Sequence, residues 1–529
     1  MPVRRLRIIC RVAVVCVIGL AWIGLVRVRP LLTILIGREV AAAEEPPVKK
    51  SGKATADGKE ESWQVVYIGG TRVGYSRTVS GPASETDRNT LRTENETVMA
   101  ISRFGQSVKI RTLMSSVETK AGNLREFSLE IQNPPAATQR TKGRVEGDKL
   151  LLEMDTAGKM QMAEKAWDTT VKAPGFQDRL LRENPLKPGE TRAFKIYEPQ
   201  TAKISTVTLK AGDFEDVELL GKEKKKLLKV NVTQTAIPGI VSAVYLDESG
   251  EAMKTTIPLL TMAMYTVPKE EALKKLTGGE LDLGVSTLVK VPAIDNPHRA
   301  KKIVYRVRIE GDDPTQVLLS GDTQQVKKVE KDTADVTVTS ALPPKNAPLP
   351  TANAVPAEFL GANRFLQIDD DLVKDHAAKA IGDETDPWQQ CLKMEKWVSE
   401  NLKKKDFSTL LASAAEVAKD LSGDCTEHAT LLAAMVRTRK IPSRVAVGLV
   451  YVPTKNGEGA FGGHMWTEVF LDGRWIPLDA TLGRGGIGGG HIKFSHSSYA
   501  DDSPAPVGEF LPLVTALGKL SIEVREVEH

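Results

Sequence analysis

The amino-acid sequence predicts an α+β protein, in which a mainly antiparallel β region precedes a C-terminal α+β domain. Three observations predict this class. Short runs with strand-like alternation, separated by turn residues, fill residues 63–268. Residues 342–364 are rich in proline and are typical of a linker. From residue 365 onward the apolar positions change to a helical period.

Composition and charge exclude several classes of protein. Hydrophobic residues make up 41% and charged residues 26% of the chain, which is typical of soluble globular domains. The 72 basic and 68 acidic side chains leave a formal charge of +4, so nucleic-acid binding has no compositional support. Four cysteines are too few for a disulfide framework. No cofactor or metal is predicted.

Residues 1–43 are predicted to be an export signal. Arg4, Arg5, Arg7 and Arg11 precede the apolar run 12–26, as in the basic and apolar regions of a signal peptide. The small residues at 41–43 suit cleavage, whereas residues 8–26 would serve equally as an uncleaved anchor in the inner membrane. Both outcomes stay open, and both predict a periplasmic or cell-envelope location because the arginines keep the N-terminus inside.

The remaining chain divides into five predicted segments. Residues 44–61 form a flexible tether, and residues 62–270 a mainly β domain with a curved sheet or partial barrel. A small β-rich domain is expected at 271–341, followed by the linker and by a catalytic domain at 365–525. The clearest strand-like runs of the first β domain are Gln64–Ile68, Ser107–Met114, Arg125–Ile131, Ile204–Lys210 and Leu227–Thr235.

A cysteine lies at the predicted start of a helix. Asp424 is a credible N-cap, and Glu427, three residues later, completes a capping box. Cys425 would then occupy the first helical position, where unpaired backbone N–H groups and the helix dipole favour a thiolate and can stabilise an oxyanion. The alternative is that Cys425 is an ordinary small buried residue.

Downstream, a predicted hairpin brings a histidine and an aspartate together. Two strand-like runs flank Asp472-Gly473, a pair favoured in two-residue turns. In that register His464 and Asp479 are diagonal neighbours on one face, within reach of a hydrogen bond. Such a bond would leave the other ring nitrogen of His464 free to accept the Cys425 proton. The pattern predicts a nucleophile, a base and an orienting carboxylate.

These residues lie in stretches that resemble the transglutaminase-like superfamily, which has a papain-like fold. The stretches are GDCTEHATLLAAMVRTRKIPSRVAVGLVY, GGHMWTEVFLDGRWIPLDATLG and HIKF. The resemblance, of a bacterial envelope type, implies Cys425 as nucleophile, His464 as general base and acid, and Asp479 as orienter. It also implies acyl transfer from a protein or peptide amide through a thioester, completed by water or an amine. A second oxyanion donor is left open among Trp388, Gln389 and Trp397.

Several alternatives stay open at this point. Cys391 is interpreted as a buried thiol, with a disulfide to Cys425 as the alternative. Zinc ligation by Cys425, His428, His464 and Asp479 is a minor alternative. The glycine-rich run 483–490 is expected to be a mobile loop beside the site, and not a phosphate loop, since it lacks the Gly-Lys-Ser or Gly-Lys-Thr ending.

Three hypotheses about function remain. The leading one is an exported cysteine amide hydrolase or acyltransferase acting on protein or peptide substrates. The second is a non-catalytic binding or assembly protein of the cell envelope with a transglutaminase-like fold. The third is an enzyme whose site is blocked until the N-terminal domain, or a disulfide, releases it. Oligomeric state and the role of residues 62–360 cannot be deduced from the sequence.

Overall fold

The computed structural model describes residues 59–84, 89–275, 281–282, 287–343, 347–351, 354–454, 457–500 and 510–529. The predicted export signal and nearly all of the predicted tether lie outside these ranges. Across the described ranges, no helix combines the length and apolar character needed to cross a membrane. The described chain is mostly antiparallel β, as the sequence predicts, and its helices are concentrated in the C-terminal part.

The first fourteen strands and one short helix precede the predicted small β segment, a second short helix overlaps its start, and a third lies within it. The strands are β1 (Glu60–Ile68), β2 (Thr71–Pro82), β3 (Thr90–Arg103), β4 (Gln106–Thr119), β5 (Leu124–Gln132), β6 (Gln139–Glu146), β7 (Lys149–Thr156), β8 (Lys159–Ala166), β9 (Thr191–Glu198), β10 (Lys203–Glu218), β11 (Lys224–Gln234), β12 (Val241–Leu246), β13 (Ala252–Ile257) and β14 (Met262–Val267). The helices are α1 (Phe176–Glu183), α2 (Lys269–Ala272) and α3 (Pro314–Val317).

The later strands and helices build the C-terminal part. The strands are β15 (Val289–Val291), β16 (Lys302–Ile309), β17 (Gln324–Glu330), β18 (Thr333–Thr339), β19 (Ser443–Pro453), β20 (Gly459–Leu471), β21 (Arg474–Leu478), β22 (His491–Ser497) and β23 (Leu520–Glu528). The helices are α4 (Asp371–Ile381), α5 (Pro387–Asn401), α6 (Ala414–Asp420), α7 (Cys425–Thr438) and α8 (Leu511–Ala516). Single 3₁₀ turns occur at Leu220–Lys222, Pro258–Leu260 and Ala357–Phe359.

The N-terminal strands form one fourteen-stranded sheet in the order β8-β7-β6-β5-β4-β3-β2-β1-β14-β13-β12-β11-β10-β9. Alternating side chains direct one face inward; in β7, for example, Leu150, Leu152 and Met154 are buried and the residues between them are only half-buried. Tyr197 of β9 packs on Phe127 of β5 with ring centroids 5.1 Å apart. Strands far apart in the sheet order therefore meet, so the sheet is curved, as the sequence predicts.

Two further sheets join chain segments on both sides of the predicted linker. One has the order β15-β20-β19-β22, with β21 paired to β20, and the other has the order β17-β18-β16-β23. β15 pairs with β20, and β16 pairs with β23. The strands of segment 271–341, expected to form a small domain of their own, are therefore built into sheets with strands from beyond residue 364.

Helix α7 lies at the centre of the C-terminal part. It packs against α4, α5, α6 and strand β20, and Leu431 and Leu432 on it are fully buried. The apolar cluster that contains α7 extends without interruption to Met99 and Ile101 of β3 in the large sheet. The N-terminal β region and the C-terminal part thus share one hydrophobic core.

Candidate active site

Cys425 is the first residue of α7, and the start of this helix is capped as predicted. Asp424 Oδ1 accepts a hydrogen bond from the Thr426 N–H at 2.9 Å, and Glu427 Oε2 accepts one from the Asp424 N–H at 3.0 Å. Gly423 precedes the cap with φ +146°, and a Cβ there would lie 2.4 Å from the Glu427 side chain. The local sequence therefore fixes where the helix begins and where the thiol projects.

The hairpin of β20 and β21 has the predicted register. Leu471 pairs with Arg474, and the pairing continues to Thr467 and Leu478. Both turn residues have positive φ, 54° at Asp472 and 73° at Gly473, as a type I′ turn requires. The hydrogen bond expected from this register is present, since His464 Nε2 lies 2.8 Å from Asp479 Oδ2.

The His464 ring also contacts the cysteine. Its Nε2 is engaged by Asp479, and the ring lies close enough to the Cys425 thiol for each group to shift the pKa of the other. Burial alone would lower the pKa of His464, but the charge and hydrogen bond of Asp479, with the contact to Cys425, raise it to about 10. Burial and the neighbouring Asp424 carboxylate raise the pKa of the Cys425 thiol, and the contact with His464 opposes this change.

A second histidine, His491 of β22, also binds Asp479. Its Nε2 lies 3.0 Å from the same Oδ2, while Asp479 Oδ1 accepts the Thr481 N–H at 2.9 Å. Burial alone would raise the pKa of Asp479, but His464 and His491 hold it well below its usual range. Burial lowers the pKa of His491, although the neighbouring Asp479 opposes this shift, so its neutral form is favoured. His491 falls within the matched stretch HIKF, but no spacing rule connects it to Asp479.

A buried carboxylate, Glu395 of α5, holds the backbone around Asp479. Its Oε1 accepts the Asp479 N–H at 3.1 Å and the Gly486 N–H at 3.4 Å. Glu395 is 1% exposed, and burial raises its pKa to about 7, although the two backbone N–H groups oppose this shift. Sequence reasoning missed Glu395 because its position on a helix, among other charged residues, looks like an ordinary solvated residue.

The glycine-rich run 483–490, predicted to be a mobile loop, lies beside the site, and its last residues are packed against Ile303 and His298. A Cβ at Gly489 would lie 2.4 Å from Ile303 Cγ1, and one at Gly490 would lie 2.6 Å from His298 Nδ1. The Gly489 carbonyl accepts a hydrogen bond from the Tyr305 hydroxyl at 2.8 Å. Gly489 allows strand β16 to approach closely, and Gly490 leaves room for the His298 ring.

The remaining candidates have other environments. Cys391 and Cys425 are both free thiols, and Cys391 is fully buried in α5, as the preferred interpretation expected. Gln389 is exposed, Trp388 lies in the hydrophobic core, and Trp397 stacks on His376 with ring centroids 4.5 Å apart. These positions identify none of the three as the second oxyanion donor.

The zinc ligand set considered from the sequence does not come together among the described residues. The donor atoms that do cluster, within 4.8 Å of one another, are those of His464, Asp479 and His491, and two imidazoles with a carboxylate can hold a metal ion. His428 instead directs its Nδ1 to the Asp424 carbonyl oxygen at 2.6 Å. Within the cluster, the two histidines already satisfy Asp479 by hydrogen bonds.

The comparison with known proteins defines the class of this domain. Residues 374–480 match the family described as "Transglutaminase-like superfamily". The C-terminal part therefore contains a transglutaminase-like domain, as the resemblance of the motifs implied. The match ends one residue beyond Asp479 and includes Cys425 and His464; it does not include His491.

Individual relatives share only parts of the chain. A protein of Haemophilus influenzae, described as uncharacterized, is 27% identical over 146 residues, which is 23% of this chain and 39% of that protein. The solved structure of a proposed cysteine protease of Cytophaga hutchinsonii is 16% identical to this chain, with a TM-score of 0.28. The match covers 46% of this chain and 86% of the chain in that structure. The solved structure of a β-barrel-like protein of Brucella abortus is 11% identical to this chain, with a TM-score of 0.28. The match covers 39% of this chain and 94% of the chain in that structure.

Proposed function

We propose that this protein is a cysteine-dependent amide hydrolase or acyltransferase that acts on protein or peptide substrates. One observation carries the proposal: Cys425, at the start of a capped helix, contacts His464, which is hydrogen-bonded to Asp479 at 2.8 Å. This is the order of nucleophile, base and orienting group that cysteine acyl transfer requires. The transglutaminase-like domain that contains the three residues supports the same chemistry.

The proposed reaction has two steps. In the reactive form the thiol proton resides on His464, whose raised pKa favours the imidazolium, and the Cys425 thiolate attacks the substrate carbonyl to form a tetrahedral oxyanion. Collapse of this species breaks the C–N bond, His464 donates its proton to the departing amine, and a thioester remains on Cys425. Water or a second amine then attacks the thioester while His464 accepts the proton of that nucleophile. The Cys425 thiolate leaves and takes up the proton, so the enzyme is regenerated.

Each neighbouring group has a role in this proposal. The Asp479 carboxylate binds Nε2–H of His464 and so keeps the other ring nitrogen directed toward the thiol. The helix cap engages the N–H groups of Asp424 and Thr426 and does not engage that of Cys425. The Cys425 N–H is therefore the backbone donor that we assign to the oxyanion.

A second candidate function is a binding or assembly protein without turnover. The observation that favours it is the burial of the site, since Cys425 is 9% exposed and His464 is 4% exposed. A protein substrate would need a route to the sulfur that such burial restricts. The same burial also suits the regulated enzyme considered from the sequence, so activity measurements must decide.

Acyl-enzyme formation tests the proposal. A chain comprising residues 44–529 is mixed with p-nitrophenyl acetate, and p-nitrophenolate release and acetylation of the Cys425 peptide are measured. We expect acetyl-Cys425 in the wild-type chain and in Cys391→Ser, and its loss in Cys425→Ala and His464→Gln. Added primary amine then separates transfer from hydrolysis by the product formed. Absence of acetyl-Cys425 under all conditions would overturn the enzyme proposal in favour of the binding protein.

We also propose that the protein works outside the cytoplasm, in the periplasm or cell envelope. The supporting observation is the row of arginines before the apolar run 12–26. Fusing residues 1–61 to alkaline phosphatase, which is active only after export, tests this location. We expect an active fusion, and N-terminal sequencing of the product distinguishes cleavage near residue 43 from an anchor at 8–26. An inactive fusion would contradict export.

A further inference from the structure

The tip of the β3–β4 hairpin, which belongs to the N-terminal sheet, contacts the start of helix α7. Arg103, the last residue of β3, places Nη2 2.7 Å from Asp424 Oδ2, and the two side chains are 5% and 1% exposed. Arg103 Nη1 also donates to the Thr409 carbonyl at 3.1 Å. The guanidinium is therefore held next to the helix cap by hydrogen bonds, although Arg103 and Asp424 are 321 residues apart in the chain.

Other contacts of the same sheet fix the segment 405–410, which leads toward α7. Gln106 accepts the Phe407 N–H at 2.7 Å and donates to the Lys405 carbonyl at 3.2 Å. Asn133 accepts the Leu410 N–H at 2.6 Å. The position of Arg103 is thus set by a specific polar interface between the sheet and the segment preceding the helix.

The contact resolves an electrostatic conflict at Cys425. Asp424 is needed as the N-cap, but its buried carboxylate lies beside a thiol that must ionise to react. An unpaired carboxylate buried here would be strongly unfavourable. Arg103 binds Oδ2 and leaves Oδ1 for Thr426, so the cap is kept while its charge is balanced. Consistently, burial and then Asp424 raise the pKa of Cys425, and His464 and Arg103 oppose this change.

We infer that Arg103 is a positioning residue of the active site, which holds the Asp424 cap and neutralises its carboxylate next to the Cys425 thiol. The N-terminal β domain therefore completes the active site of the C-terminal domain. This inference rests on the proposed cysteine chemistry and adds to it a requirement for a residue outside the transglutaminase-like domain.

A four-variant cycle tests the inference in the chain of residues 44–529 with Cys391→Ser throughout. The rate of Cys425 alkylation by iodoacetamide is measured against pH for the parent, Arg103→Gln, Asp424→Asn and the double variant, with His464→Gln in parallel. Asparagine is as good an N-cap as aspartate, so Asp424→Asn removes the charge and keeps the cap. The pH profile, unlike stability, reports the charge next to the thiol.

We expect Arg103→Gln to move the profile to higher pH and to lower the alkylation rate at about pH 8 about tenfold, because one pKa unit changes the thiolate fraction by that factor. The pH profile of alkylation for the double variant should lie close to that of the parent, because removing the Asp424 charge removes the need for Arg103. A folded double variant beside an unfolded Arg103→Gln would support the same coupling. Superimposable profiles for all four proteins, with His464→Gln still shifted, would overturn the inference alone. Absence of a His464→Gln shift would instead remove the proposed function on which it rests.

Discussion

Asp479 and Glu395 are two buried carboxylates, and Glu395 accepts the backbone N–H of Asp479, yet their surroundings shift their pKa values in opposite directions. Asp479 receives hydrogen bonds from His464 and His491, which keep its pKa well below the usual range. Among the described residues, the hydrogen-bond donors to Glu395 are backbone N–H groups, and burial raises its pKa to about 7. The pair can therefore stay close together because only one of them is charged over much of the acidic range.

This difference predicts how Glu395→Gln changes stability with pH. The pKa of Glu395 lies above the value of about 4.3 for an unfolded glutamate, so its contribution to stability is complete below about pH 4 and is lost as the pH rises through about 7. Glutamine keeps the acceptor oxygen and cannot ionise. Above neutral pH the variant should be more stable than the wild type by about 3 kcal/mol.

Thermal midpoints at about pH 5 and about pH 8 check this expectation for Glu395. The two proteins should differ much more at the higher pH, with the variant melting later. As a control, Glu400→Gln near the end of the same helix, where the side chain is 62% exposed, should show no such change. A difference in thermal midpoint between Glu395→Gln and the wild type that is the same at both pH values would contradict the raised pKa of Glu395.

At this scale the sequence predicted the local steps that build the candidate site, namely the helix start and the hairpin register. Asp424 and Glu427 mark the helix start, and the Asp472-Gly473 turn sets the register that joins His464 to Asp479. His491 and Glu395 could not be predicted as partners of Asp479. They reach it through the pairing of β19 with β22 and the packing of α5, and no local period of the sequence encodes either contact.

At the scale of elements, a buried charge cluster ties together three strands of the central sheet. Glu468 of β20 lies 2.6 Å from both Arg444 Nε on β19 and Lys493 Nζ on β22. Burial alone would raise the pKa of Glu468, but the two cations lower it to about 2. The strands that carry His464 and His491 are therefore connected by one carboxylate.

We expect Glu468→Gln to destabilise the protein by about 3–5 kcal/mol at neutral pH, because two buried cations lose their counter-charge. The pKa of Glu468 in the folded protein lies below the unfolded value of about 4.3. The contribution of its charge to stability is therefore complete above that value and is lost as the pH falls through about 2. Urea unfolding at about pH 7 and about pH 3 should show that the difference in unfolding free energy between Glu468→Gln and the wild type is smaller at the lower pH. A difference in unfolding free energy that becomes larger at the lower pH would contradict the pairing of Glu468 with Arg444 and Lys493.

The packed glycine run predicts a second effect at this scale. Gly489→Ala places a Cβ 2.4 Å from Ile303, so β16 and the run must separate, at a cost of about 1–3 kcal/mol. Gly321→Ala is the matched control, because nothing lies within 4 Å of its Cβ, and its change should stay within about 0.5 kcal/mol. Equal thermal midpoints for the two variants would show that the run is open enough to absorb a methyl group.

At the scale of the whole molecule, strand pairing crosses the predicted linker twice. β15 and β16 precede residues 342–364, and their partners β20 and β23 follow them. The alternation of side chains predicted the individual strands and the antiparallel class. It could not predict these pairings, because a strand pattern specifies a buried face and does not specify which distant strand lies alongside.

A cut in the linker tests this connection. With a protease recognition sequence inserted between Leu349 and Pro350, the cleaved chain should elute from a sizing column as one particle, since strand pairs and the shared core hold the fragments together. Urea should separate them. Fragments that separate in native buffer would contradict a joint fold and favour independent domains.

The most direct test of the proposed chemistry is the pH dependence of Cys425 alkylation in the chain of residues 44–529, with Cys391→Ser throughout, compared with His464→Gln. Because His464 lowers the pKa of the buried thiol, its loss should move the profile to higher pH and reduce the rate at about pH 8 about tenfold. Superimposable profiles, or a thiol that reacts only after unfolding in both proteins, would contradict the assignment of Cys425 and His464 as a catalytic pair.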